Sequence, residues 1–210
     1  LHIENAIKQF KKAYSELELD AGVYLMKSYY FKGKFIAKTN DEKKKVFSKG
    51  KNLGERLINS YPKSAAVRYW FLVNLGSWAE VYGAIAAAKE GVAGMMRDHA
   101  KKIIEIDPNY SNGGGYFMLG AVHFKSPYIP FILSWPSNDL AIKNLKKAYS
   151  IGDSTPSQIV YLAQALFKDG QKDEAKSDLR ELLKKPLSRN EKVEDFDQHE
   201  IAKRLLKEWK

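Results

Sequence analysis

Catalysis by side chains needs a nucleophile, an acid–base pair or a metal cage at fixed spacing, and those residue types are sparse in this 210-residue chain. The four histidines are His2, His99, His123 and His199. None has a second histidine four positions away, and no H-E-x-x-H pattern occurs. There is no cysteine, which excludes thiol nucleophiles, disulfides and zinc–thiolate sites. No G-x-S-x-G elbow presents a serine for acyl transfer. Gly113, Gly114 and Gly115 precede a helical pattern and could cradle an anion through helix N-terminal amides. No strand pattern comes before them and no Lys-Ser/Thr follows, so a tight turn that permits close packing is the plainer reading. Glu194-Asp195 lies in a polar segment and reads as a solvated face. His123 falls where a helical repeat places an inward aromatic, so it is read as a core or groove residue. The chain is therefore read as non-enzymatic, with no cofactor and no metal.

Binding is the better-supported class. The residues picked out as a ligand or partner groove are Tyr30, Tyr69, Trp70, Asn74, Tyr116, His123, Trp135, Tyr161 and Gln164. Aromatic rings with a few polar groups make a common recognition surface. For each of them, packing between repeats is the structural alternative.

The elements that must carry these residues follow from Ile159 to Pro186, the clearest period in the chain. Leu162, Ala163, Leu166 and Phe167 share one helical face, Gly170 ends that helix, and Ala175, Leu179, Leu182 and Leu183 recur on the next. Pro186 closes it. This is tetratricopeptide-like spacing, and such a unit buries its apolar faces only by stacking on neighbours. Thr155-Pro156 opens the unit with proline in the first turn.

Taken in order, Glu4 to Leu19 is expected as one amphipathic helix and Ala21 to Phe31 as the first helix of a repeat ending at Gly33. Lys38 to Lys45 is expected as an extended connection, followed by a helix from Val46 to Tyr61. Gly50 and Gly54, four apart on that helix, predict close helix approach. Ser64 caps Ala65 to Leu75, Gly76 interrupts, and Ser77 to Ala88 continues before a break at Gly91 and Gly94. Met95 to Ile106 follows, then a turn at Tyr110 to Gly115 and a helix from Tyr116 to Phe124. The three prolines between Pro127 and Pro136 forbid a regular helix. This aromatic insert is expected to cover a cleft, fill a gap or meet a partner. Asp139 to Ile151 completes the pair, and Asp197 to Trp209 caps the stack, with Ile201, Leu205, Leu206 and Trp209 inward. The fold class is all-α, a tetratricopeptide-like solenoid of about four helix pairs plus flanking helices. It is read as one domain: 1–63 with the first repeat, 64–155 with the central repeats and the 127–136 insert, 156–186 with the last repeat, and 197–210 as the capping helix.

Apolar residues make up 44% of the chain, which excludes disorder as the main state. The formal charge is +10, from 35 Lys plus Arg against 25 Asp plus Glu. The lysines are scattered along helices and read as a solvated surface; runs such as Lys43 to Lys45 are too short for a nucleic-acid tail. No nucleic-acid partner is expected. Ala65 to Ala88 has the length of a membrane span, but Arg68, Asn74 and Glu80 make it a buried helix pair. The chain starts at Leu1, and a leader or lipoprotein segment is expected to have been removed.

From Ala65 to Trp209 the order of motifs resembles the T-component family of TRAP transporter-associated proteins. The stretches are AAVRYWFLVNLGSW, IDPNYSNGGGYFMLGAVHF, the proline insert before DLAIKNLKKAYSIG, and the tail HEIAKRLLKEWK. This chain departs from the family pattern at Trp135-Pro136-Ser137-Asn138-Asp139, where the family usually has Gly-Gly before Asp. The resemblance implies a periplasmic protein held by a removed N-terminal lipid anchor, a TRAP solute-binding protein as partner, an apolar or amphipathic small ligand, and a homo-oligomer. The alternative is a general tetratricopeptide adaptor, in the cytoplasm or periplasm, that holds a peptide or protein in its groove.

Overall fold

The computed structural model describes residues 2–129, 131 and 133–210. Every long element among them is a helix, and the single β feature is an isolated bridge between Ile129 and Leu133. The chain forms two compact units, one ending at Tyr110 and one beginning at Ser111.

In the first unit, α1 (His2–Ala13) leads into α2 (Glu18–Phe31), which runs on through a π-helical turn, Lys32–Ile36. The helix expected from Glu4 to Leu19 therefore stops at Ala13. The Glu18 carboxylate, at the start of α2, accepts from the hydroxyls of Tyr14 (3.2 Å) and Tyr61 (2.9 Å), which holds the reversal. Next, α3 (Asn40–Ser60) begins inside the segment expected as a connection. Thr39 and Glu42 form a reciprocal capping box: the Glu42 amide donates to Thr39 Oγ1 (3.2 Å) and the Thr39 amide to Glu42 Oε2 (3.1 Å). Its first two turns are lysine-rich because they face water, and that polarity resembles a loop.

Helix α4 (Ala65–Tyr82) is continuous through Gly76 and breaks at Gly83, where φ is +91°. Ser64 caps it, accepting from the Val67 amide at 3.2 Å. A short exposed helix, α5 (Ala84–Lys89), and α6 (Val92–Ile106) complete the unit. Gly91 is left-handed before α6, whereas Gly94 lies within it.

The contact of α3 with α4 is set by the glycine pair. A Cβ on Gly54 would stand 2.8 Å from the Phe71 side chain, and one on Gly50 would overlap the Asn74 carboxamide. Asn74 has no exposed surface; its Nδ2 donates to Met26 O (3.1 Å) on α2 and to Trp70 O (2.9 Å). Among the described residues its Oδ1 has no hydrogen-bond partner; it faces the Gly50 backbone, where a weak Cα–H contact is open to it. Met26, Leu57, Val67, Phe71, Leu72 and Leu75 close around this junction, each less than 2% exposed.

In the second unit, α7 (Tyr110–Lys125, shared across the boundary) starts with Ser111, Asn112 and Gly113 in left-handed conformation before the regular helix. A Cβ on Gly113 would come within 3.1 Å of the Ala148 backbone, so the glycine turn serves close packing. Gly113, Gly114 and Gly115 are all buried, and that leaves no exposed anion cradle. Gln158 holds the turn: its Nε2 donates to Asn112 O (2.7 Å), and its Oε1 accepts from the Thr155 amide (2.9 Å).

The described part of the insert turns back on itself, with Ile129 and Leu133 exchanging backbone hydrogen bonds (2.9 and 2.7 Å) and Phe131 at φ +66°. Pro130, one of the three prolines that rule out a helix, lies outside the described residues. Three helices follow: α8 (Asn138–Tyr149), α9 (Pro156–Lys168) and α10 (Lys172–Lys184). The last, α11 (Lys192–Glu208), starts five residues before the expected cap; Asp195, His199 and Ala202 are buried, and the expected face of Ile201, Leu205, Leu206 and Trp209 is half-buried. Trp209 stacks on Phe167 at 4.0 Å between ring centroids. Leu145, Leu166, Leu179 and Leu182 form the fully buried centre of this unit.

Gly50→Ala should lower the unfolding midpoint, at a cost of about 1–3 kcal/mol from overpacking. Gly94→Ala should raise the midpoint through about 0.5–1 kcal/mol of added stability, because helical Gly94 has open space where its Cβ would stand. Thermal unfolding followed by circular dichroism checks both, and a similar response of the two variants would contradict the packing described.

Candidate functional site

In the first unit, α2, the π turn and α4 bring three of the predicted residues together. Tyr30 lies 6.2 Å from Trp70 between ring centroids, and Tyr69 lies 5.6 Å from Trp70. Both ends of this row continue in residues that sequence patterning did not mark. Tyr110 meets Tyr69 at 5.6 Å, and Phe35 meets Tyr30 at 6.3 Å and Phe31 at 5.1 Å. The Lys27 ammonium stands 4.9 Å from the Trp70 ring, a cation–π geometry. These rings are half-buried, which leaves part of the row open to solvent. Burial raises the Tyr110 hydroxyl above its ordinary pKa, and a hydrogen bond with Trp70 partly offsets this. Lys27 was legible as the residue three before Tyr30 on the same helix. Phe35 was hidden by Gly33, which reads as a stop but lies inside the π turn.

Asn74, the fourth predicted residue of this unit, is not in the row. It is the fully buried pin between α2, α3 and α4 described above, so it lines no groove.

The other five predicted residues lie in the second unit and fall into separate settings. Tyr161 on α9 meets Phe117 (5.3 Å) and Phe124 (6.2 Å) on α7, and the Lys125 ammonium is 5.3 Å from its ring. The Lys168 ammonium stands 5.7 Å from Phe124. Tyr116 is half-buried beneath Lys147, at 5.9 Å. Gln164 turns back onto its own helix and donates to Val160 O at 3.2 Å. His123 is 8% exposed; its Nδ1 accepts from the Ser137 amide (3.3 Å), and its ring meets Trp135 edge-on at 5.0 Å. This pair anchors the return of the insert to α8. With Nδ1 an acceptor, the ring proton sits on Nε2. Among the described residues, no group of three His, Asp or Glu side chains could hold a metal, and no helix is long and apolar enough to cross a membrane.

His99 occupies a second, partly buried polar contact. Arg68 donates twice to Pro62 O, from Nε (3.1 Å) and Nη2 (2.7 Å), and from Nη1 to His99 Nδ1 (2.7 Å). A guanidinium has no acceptor, so His99 must be neutral with its proton on Nε2. The imidazole packs against Phe71 at 5.1 Å. Burial, and then the Arg68 charge, hold the His99 pKa below its ordinary value.

Helices packed in sequential pairs define a helical-repeat fold. The model of the family described as regulator of microtubule dynamics protein 1-3 matches residues 2–132, more than half of the chain, and the chain belongs to that family. This overturns the resemblance to the TRAP T-component family, whose motifs lie from Ala65 onward. The periplasmic lipid-anchored placement, the solute-binding partner and the small apolar ligand rested on that resemblance and lose its support.

A solved structure supports the fold class. The crystal structure of TTC0263, a thermophilic TPR protein in Thermus thermophilus, is similar with a TM-score of 0.55 and 15% identity. The likeness covers 95% of this chain and 98% of that one. At that identity the likeness speaks for the fold, a tetratricopeptide-like helical repeat. No curated protein matches this chain.

Because the folded state keeps His99 neutral, the unfolded chain binds more protons below about pH 6.5. Stability should be full above that pH, fall as the pH drops from there through the lowered folded pKa, and then level off. His99→Gln keeps an acceptor for Arg68 without a titrating group, and its urea midpoint should lose this part of the slope. An unchanged slope in the variant would show that other groups control it.

Proposed function

We propose that this chain is a non-enzymatic repeat adaptor that holds a protein or peptide segment against the aromatic row of α2, the π turn and α4. The supporting observation is the row itself: Phe35, Tyr30, Trp70 and Tyr69 in continuous contact, with Lys27 over Trp70. Large rings held by their neighbours lose little freedom on binding, and Trp and Tyr dominate the energetics of protein interfaces. A formal charge of +10 favours an acidic partner and faster encounter with it. The tetratricopeptide-like fold suits this role, since repeats present surface rather than a reaction cleft.

The family is described by its relatives' regulation of microtubule dynamics. Carried to this chain, that makes the microtubule the first partner to test. Co-sedimentation with assembled microtubules, and selection from a peptide library where that fails, both read the same surface. Trp70→Ala should weaken whichever partner is found at least tenfold, about 1.4 kcal/mol, while circular dichroism stays helical. Added salt should weaken binding further. A folded Trp70→Ala protein with unchanged affinity would remove the row as the binding site.

A further inference from the structure

A different face of the first unit carries a second feature. Along α2, Leu25 and Tyr29 point roughly opposite to Lys27 and Tyr30, at 100° per residue. There, α1, α2 and α3 line an open cleft of about 390 Å³. Its apolar lining includes Leu25, 4% exposed, and Leu53, 5% exposed. Lys11 from α1 and Lys49 and Arg56 from α3 also line it. Among the described residues none of these three cations has an ion-pair partner. Asn52 adds a carboxamide.

Tyr29 is 8% exposed, yet its hydroxyl makes no hydrogen bond among the described residues and is not sealed from solvent. Tyr29 lines the cleft, and its hydroxyl lacks, among the described residues, the protein partner that buried tyrosines usually have. No carboxylate lines the cleft. Two acids stand at its edge and are already engaged: Glu18 accepts from Tyr61 and from Tyr14, which lines the cleft, and Glu4 pairs with Lys32 while also feeling the Lys49 charge.

We propose that the cleft between α1, α2 and α3 binds a small organic anion, a phosphate monoester with an apolar or aromatic body. Arg56, Lys49 and Lys11 hold the phosphate, the Tyr29 hydroxyl donates to it, and the body lies over Leu25 and Leu53. Arg56 is the central group because a guanidinium can meet two phosphate oxygens at once. The volume falls within the range of small-molecule sites. The same headgroup chemistry could arrive as a soluble ester or on a lipid.

Isothermal titration of the full chain with phenyl phosphate, inorganic phosphate and phenol tests this. Phenyl phosphate should bind at least tenfold tighter than either of the others. Arg56→Gln and Tyr29→Phe should each weaken it at least fivefold, whereas Lys203→Gln on α11 should leave it unchanged. Flotation with phosphatidylcholine vesicles, with and without phosphatidylinositol 4-phosphate, separates the sources. Arg56-dependent flotation assigns the headgroup to a lipid, and titration binding without flotation assigns a soluble ester. No binding in either assay, or equal weakening by Arg56→Gln and Lys203→Gln, overturns the proposal. Circular dichroism confirms that each variant is folded.

Discussion

The close approach of α3 to α4 is the constraint on which the first unit depends. Two missing Cβ atoms, at Gly50 and Gly54, let Asn74 and Phe71 sit against the α3 backbone. Asn74 then reaches Met26 O and ties α2 to the same junction. That arrangement turns Trp70, four residues earlier on α4, toward Tyr30 on α2, with Tyr69 beside Trp70. The Arg68 side chain, fixed to Pro62 O and His99, holds the entry to α4 and the course of α6. A buried polar pin and two glycines thus locate an aromatic surface to which they contribute no exposed atoms of their own.

The second unit uses the same means with different residues. Gln158 ties the capping box of α9 to the left-handed turn that opens α7, and Gly113 admits α8 against that turn. Its aromatic cluster, Phe117, Phe124 and Tyr161, is edged by Lys125 and Lys168. Lysines lying on rings recur in both units, which accounts for part of the high positive charge. Ammonium groups there cover apolar surface with their stems while keeping the charge in water.

Family and fold speak to different parts of the question. Membership of the regulator of microtubule dynamics family comes from residues 2–132, whereas the most regular repeat lies in α9 and α10, beyond that match. Reading outward from the regular repeat led to the fold but not to the family. Periodicity in helix pairs reflects packing shared by many unrelated repeat proteins, so it says little about lineage.

Local chemistry along the chain was enough to determine the all-helical class, the cap at Ser64, the helix opened by proline at Thr155-Pro156, the left-handed stop at Gly170, and the close approach at Gly50 and Gly54. Each of these depends on residues within one or two turns of one another, or on the lack of a side chain. Helix limits that depended on distant contacts were not legible. The stop at Ala13 is held by Tyr61 acting on Glu18, 43 residues away, and Gly33 continues as a π turn packed against Phe47. Whether a ring or amide was exposed also had to wait for the tertiary structure. Asn74 and Tyr69 differ by little in sequence setting, yet one is a sealed pin and the other part of an open row. Burial is a property of what packs from other helices, and a one-dimensional period cannot contain it.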